Sequence, residues 1–342
     1  MIPHISLAAG YDISRLIKGG WHLAGGHGAI DARAAKRDMA TFVDAGITTF
    51  DCADIYTGVE SLIGEFRSEY PELARRLRVH TKFVPDLGRL ADVDAAYVEG
   101  VIDRSLARLR MERLDLVQFH WWDYAVPRHV EAALELERLR QKGKIDRIGL
   151  TNFDVPHLSA IVDAGVPVFS HQLQYSLVDD RPSGGMVEFC QRHGIALLCY
   201  GTVLGGFLSE RWLGVPEPHG DLPNRSLTKY KLIIDDFGGW ALFQELLQVL
   251  RRVGERHGCD IATVGTAAVL ERDAVSAAIV GATSTAHLAA HQRLGGLRLD
   301  RRDLEEIVLV TDRRQGPQGD VYDLERDRNG RHGRIMKYNL ND

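Results

Sequence analysis

Four residues of this chain are of types that can move a proton together: Asp51, Tyr56, Lys82 and His120. A tyrosine phenol, with its usual pKa of ~10, is a poor proton donor at neutral pH. A lysine ammonium beside it favours the phenolate and lowers that pKa, and a carboxylate beside the lysine keeps it charged and oriented. A histidine can hydrogen-bond a carbonyl oxygen or take part in proton transfer. A tyrosine supported in this way suits carbonyl reduction, in which hydride adds to carbon while the phenol protonates oxygen. The plainer reading is that Asp51 caps a turn and Lys82 is its structural ion pair.

Each of the four falls at or just past the end of an expected strand. Thr48-Thr49-Phe50 is β-branched and aromatic and follows the helix-stopping Gly46, so it reads as barrel wall before Asp51, Asp54 and Tyr56. Asp54 is expected to order the turn. Eight strands are expected, at 16–20, 48–52, 77–83, 114–120, 145–151, 166–173, 195–200 and 276–280. Helical spacing fills most of the connections between them. Examples are Ala35, Met39, Phe42 and Val43 after the cap Asp31, and Val98, Ile102, Leu106 and Leu109. Alternation of this kind predicts a (β/α)8 TIM barrel, in which the C-terminal strand ends converge on one rim. Residues 5–8 and 13–15 are expected to form a hairpin under the barrel. Residues 202–239, rich in Gly, Pro and charge, are too long for an ordinary connection and are expected to be a lid or loop. We expect one domain over 1–342, with a core of about 13–312 and a charged tail, 313–342, packing on or near it.

Composition narrows the function. The 342 residues are 45% hydrophobic, with 42 Lys+Arg mixed among 47 Asp+Glu for a net charge of −5. That balance speaks against nucleic-acid or membrane partners. The four cysteines, Cys52, Cys190, Cys199 and Cys259, have no C-x-x-C pairing and read as reduced thiols of a cytoplasmic protein. No signal peptide, membrane-length apolar run or metal-ligand spacing is evident. The segment Trp21-His22-Leu23-Ala24-Gly25-Gly26-His27-Gly28 is glycine-dense but is not a G-x-G-x-x-G fingerprint. His27 reads as a solvated turn residue.

The chain resembles the aldo-keto reductase superfamily, particularly its bacterial and plant members, over roughly residues 13–300. Phe50-Asp51-x-x-x-x-Tyr56, Thr81-Lys82 and Gln118-Phe119-His120 match the family's catalytic positions. Gly149-Leu150-Thr151-Asn152-Phe153 and Gln172-x-x-Tyr175 resemble the elements that hold the nicotinamide carboxamide. Tyr200-Gly201-x-x-Leu204-Gly205-Gly206 resembles the segment whose tyrosine stacks on nicotinamide and whose loop wraps the pyrophosphate, with Arg211 a further pyrophosphate contact. Gly20 and Trp21 are placed at the cofactor as well. Val280-Gly281-Ala282-Thr283-Ser284 resembles the family's turn at the adenosine end, with Val280 where proline is usual. Beyond it, His287, Ala290 and His291 stand where relatives have Arg or Gln and then Glu and Asn, so no phosphate-binding arginine is evident.

What the resemblance implies is an NAD(P)H-dependent reductase of an aldehyde or ketone, with Tyr56 as proton donor and NADP(H) placed ahead of NAD(H). Trp21, His22, Trp121 and Trp122 are expected to line the pocket of a small carbonyl or hydroxylated substrate. Two alternatives stay open: a sugar or polyol dehydrogenase, and a cofactor-binding regulatory subunit with little turnover. The oligomeric state is left open.

Overall fold

Among the described residues ten strands form, and their boundaries follow the apolar and β-branched runs. In the computed structural model, which describes residues 2–24, 30–281 and 284–340, β1 (His4–Ala8) and β2 (Tyr11–Ser14) pair as an antiparallel hairpin. The other eight are β3 (Leu16–Gly19), β4 (Thr49–Asp51), β5 (Arg78–Phe83), β6 (Leu114–Phe119), β7 (Ile145–Thr151), β8 (Val168–Gln174), β9 (Ala196–Tyr200) and β10 (Val275–Gly281). They pair in parallel and close into one barrel in the order β10-β3-β4-β5-β6-β7-β8-β9. With helices packed outside, this is the expected (β/α)8 barrel.

The register sets the site. Lys82 stands opposite Gln118, Gly19 opposite Asp51, and Thr151 opposite Gln172. Side chains alternate between the interior and the helix layer. The interior is therefore filled by Ile17, Leu116, Leu198 and Ala277, with Tyr11 and Ile13 of the hairpin joining the same cluster. The Tyr11 hydroxyl reaches the buried His80 at 3.3 Å. Apolar packing closes one end of the barrel and leaves the polar rim at the other.

The helices follow their caps. Asp31 accepts hydrogen bonds from the N–H groups of Arg33 and Ala34 and starts the helix Ala32–Asp44, which buries Met39, Phe42 and Val43. The helices Val59–Glu69 and Ala95–Leu109 approach so closely at Gly64 that a Cβ there would lie 2.0 Å from the Arg108 carbonyl oxygen.

The segment after β9 is not the open loop expected. It holds a helix, Arg225–Phe237, started by Asn224 accepting from Leu227 N–H, with Leu227, Tyr230, Ile233, Ile234 and Phe237 buried. That apolar spacing is helical, and the flanking Gly and Pro hid it. The tail returns over the barrel: Glu325 is buried in an ion pair with Arg181, 3.1 Å away.

Candidate active site

The end of β4 delivers Asp51 and the end of β5 delivers Lys82, and the two meet at 2.6 Å. Lys82 Nζ also donates to the Cys52 carbonyl oxygen at 2.8 Å. The second Asp51 oxygen accepts from Gln118 at 2.9 Å and from Gln172 at 2.6 Å, and Gln172 donates in addition to Gln118 Oε1 at 2.9 Å. Both lone-pair faces of a buried carboxylate are thus used, as burial requires. Gln118 had no role assigned from sequence. It lies two residues before His120 on β6, so its side chain shares the face that carries the rim, and that spacing is the signal that could have found it.

Tyr56 sits on the connection after β4, half-buried, with Lys82 Nζ 4.9 Å from its ring centroid and the Trp21 ring packed edge-on at 5.2 Å. The expectation that Lys82 lowers the phenol's pKa overall is corrected here. Burial raises it above the usual tyrosine value, and the nearby Lys82 charge lowers it only in part. For Lys82 burial works against the charged form, but Asp51 and Tyr56 outweigh it and hold the ammonium above its ordinary range. The Cys52 thiol is pushed well up by burial and then by Glu60, which leaves it an inert neighbour. Asp54 accepts from the N–H groups of Ile55 and Val84 and ties the turn after β4 to the end of β5.

His120 follows β6 and is 2% exposed. Its Nδ1 lies 3.1 Å from the Thr151 carbonyl oxygen. A carbonyl only accepts, so Nδ1 carries the proton. Burial, reinforced by the Arg326 charge, holds the ring's pKa down at about 3, so it is neutral and Nε2 bears a lone pair. Among the described residues Nε2 has no hydrogen-bond partner. In this tautomer the Nε2 lone pair can accept a hydrogen bond.

These residues open onto one cavity of about 710 Å³. Its walls include Trp21, His22, Asp51, Tyr56, Lys82, His120, Trp122, Thr151, Asn152, Gln172, Tyr200, Gly201, Gly206, Arg211, Gly281, His287 and His291. Three expected residues are not among its walls. Trp121 is fully buried, with its indole N–H spent on the carbonyls of Asp123 and Val126, each at 3.0 Å. Leu204 is core, and Gly20 packs against β4, where an added Cβ would lie 2.7 Å from the Asp51 carbonyl oxygen. Ala282, Thr283 and the Gly25–Gly28 stretch with His27 lie outside the described residues. Among the wall residues given no site role from the sequence are Lys229, from the helix after β9, and Tyr322, Met336 and Leu340, from the tail.

The rim also offers a matched pair of polar groups. Asn152 Oδ1 accepts from the Tyr200 hydroxyl at 2.8 Å, which leaves its amide NH2 free to donate. Gln172 spends its NH2 on Asp51 and Gln118, which leaves its carbonyl oxygen to accept. One donor and one acceptor side by side on a cavity wall are complementary to a primary carboxamide, the group that a nicotinamide carries. Among the described residues no group of three or more His, Cys, Asp and Glu is placed to hold a metal, and no helix is long and apolar enough to cross a membrane.

Acid–base side chains on the C-terminal rim of a (β/α)8 barrel define this as an enzyme fold with its site in the usual place. The sequence profile of the Aldo/keto reductase family matches residues 15–311, and the chain belongs to that family. Members of the family are NAD(P)-dependent oxidoreductases that act on carbonyl and alcohol groups. The chain is 28% identical to flagellar radial spoke protein 5 of Chlamydomonas reinhardtii over 250 residues, 62% of this chain and 47% of that protein, so it spans about half of that relative. It is 24% identical to the aldo-keto reductase YhdN of Bacillus subtilis (strain 168) over 311 residues, 88% of this chain and 91% of that one. A solved structure of a glycerol dehydrogenase from Gluconobacter oxydans shares the fold, with a TM-score of 0.77 at 22% identity over 93% of this chain and 97% of that one.

Proposed function

We propose that this protein reduces an aldehyde or ketone with a nicotinamide dinucleotide, and that Tyr56 gives the proton. The observation that carries the reading is the buried Asp51–Lys82 pair with the lysine 4.9 Å from the Tyr56 ring centroid. The dinucleotide, when bound, supplies the hydride. Asn152 and Gln172 would hold its carboxamide, and Tyr200 would present a ring beside it. Tyr56 stays protonated until oxygen gains negative charge, because burial opposes the free phenolate. Lys82 then stabilises the phenolate that is left, and Asp51, fixed by Gln118 and Gln172, keeps Lys82 aimed. His120 offers a lone pair to an incoming hydroxyl, which serves the alcohol side of the same equilibrium.

We propose NADP(H) as the cofactor. On the cavity walls Lys82 is paired with Asp51 and Lys229 with the buried Glu325 behind it, which leaves Arg211, Arg225 and Lys337 against Asp260, an excess of positive charge in a chain whose net charge is −5. An additional phosphate is favoured there. Measuring NADPH and NADH affinities side by side tests this, and tighter NADH binding would reject it.

A small hydroxylated substrate is the reading we attach to the pocket. Aromatic faces of Trp21, Trp122 and Tyr322 line it beside polar His22 and Lys229, and the related fold from Gluconobacter oxydans belongs to a glycerol dehydrogenase. A regulatory role is the second reading, favoured by the radial spoke protein among the relatives. Turnover with a panel of carbonyls and sugars, in both directions, separates the two. A protein that binds NADPH yet turns over none of them fits the regulatory role.

A further inference from the structure

The family match ends at residue 311, yet the tail beyond it reaches the site. Tyr322 packs edge-on against His120 with ring centroids 5.4 Å apart. One turn on, Arg326 donates through Nη2 to the carbonyl oxygen of Trp121 at 3.2 Å and to that of Asn152 at 2.6 Å. Trp121 directly follows His120, and Asn152 directly follows Thr151. One guanidinium therefore bridges the chain just past the ends of two neighbouring strands, β6 and β7.

We propose that Arg326 is a positioning residue for the cofactor side of the site, locking Asn152 and His120 in place from the tail. The proposal rests on the reading of Asn152 as a nicotinamide contact.

Three observations support it. Asn152 has a φ of +61°, a left-handed conformation that a non-glycine residue keeps only when its surroundings hold it there. It is held on three sides: its N–H donates to the Gln172 carbonyl oxygen at 2.9 Å, its carbonyl accepts from Arg326, and its side chain accepts from Tyr200. Removing Arg326 takes away the only one of these three anchors that comes from outside the barrel strands and the turns at their ends.

The second is how Arg326 uses its charge. Among the described residues it has no carboxylate within ion-pair distance. Its guanidinium lies between the rings of Tyr124, at 4.2 Å, and Tyr322, at 5.3 Å, and its two Nη groups donate to neutral backbone carbonyls. Planarity and several donors let an arginine span two carbonyls in fixed directions, which a lysine ammonium does less well. The third is the chain of contacts that runs on from these carbonyls. His120 Nδ1 donates to Thr151 O, the residue next to the one that Arg326 grips, so a shift of the β7 end would turn the imidazole as well.

The test is NADPH binding, followed by quenching of tryptophan fluorescence, in wild type, Arg326→Ala and Arg326→Met. Both variants are expected to bind NADPH about tenfold more weakly. Guanidinium chloride at low, non-denaturing concentration is expected to restore Arg326→Ala towards wild type, while sodium chloride at equal ionic strength does not. Arg326→Met, whose side chain fills the space, stays unrescued. Its melting temperature near that of wild type keeps the test sound if Arg326→Ala folds poorly. Wild-type affinity in either variant overturns the proposal, as does a weakened Arg326→Ala that guanidinium leaves unchanged. A wild-type protein that binds no nicotinamide dinucleotide removes the cofactor reading itself, a result distinct from both.

Discussion

Lys82 and Asp51 form a 2.6 Å ion pair in which neither side chain exposes more than 6% of its surface. Such a pair gains little over an apolar replacement of both partners, but removing one leaves a buried charge without its counter-ion. Lys82→Met should lower stability by about 3 kcal/mol, since Gln118 and Gln172 still donate to Asp51 but cannot neutralise it. Urea unfolding at pH 7 reads this directly. A loss under about 1 kcal/mol would mean that the two amides alone satisfy the carboxylate.

The close contact between two outer helices gives a prediction independent of the site. A Cβ at Gly64 would lie 2.0 Å from the carbonyl oxygen of Arg108, on backbone that cannot swing aside. Gly64→Ala should destabilise the fold by about 1–3 kcal/mol through overpacking, despite alanine's better helix propensity. A variant as stable as wild type would show that the helices Val59–Glu69 and Ala95–Leu109 slide apart at no cost.

Much of this was legible in the sequence because strands and chemistry share a period. Lys82 is the penultimate residue of β5 and His120 directly follows β6, and all eight barrel strands were expected within a residue or two of where they form. Gly281, His287 and Arg211, singled out from the sequence, line the cavity. What was not legible depends on contacts far apart in the chain. Trp121 and Trp122 are equivalent by type, yet turning one residue along the chain sends the first into the core and the second onto the cavity. Arg326 lies in a charged, non-periodic segment, and its partners past the ends of β6 and β7 come to it only when the tail folds back. The net rise in the Tyr56 pKa was missed for a similar reason: the charge beside it is visible as Lys82, whereas the extent of its burial is a property of the packed site.

Acid should unfold the protein through its buried histidines. Burial holds His80 at about 4 and His171 at about 3, as it does His120. An unfolded chain takes up these protons near pH 6.5, while the folded chain refuses them until lower pH. Stability is therefore full above pH ~6.5 and falls as pH drops, by about 1.4 kcal/mol per pH unit for each such histidine. His171 Nε2 accepts from the Phe153 N–H at 3.1 Å, a bond that asparagine can imitate. Between pH 6.5 and 5, His171→Asn should lose about 2 kcal/mol less than wild type in urea unfolding. Equal losses would place the pH dependence elsewhere.

The rate of reduction should also report the two titrating groups. Tyr56 must be protonated to donate, and burial raises its pKa above the usual ~10. His120 is neutral down to about pH 3. The kcat for carbonyl reduction should therefore show no inflection near pH 6.5 and should fall only above pH ~10. An inflection near 6.5 that disappears in His120→Gln would show that the histidine titrates and that its neutral tautomer is not the working form.

The central claim is that Tyr56 delivers the proton, and Tyr56→Phe removes only that oxygen. Steady-state reduction of a carbonyl substrate should fall by about 10²–10⁴-fold in this variant, with NADPH still quenching protein fluorescence at wild-type affinity. Turnover equal to wild type, with the cofactor bound, would contradict the account.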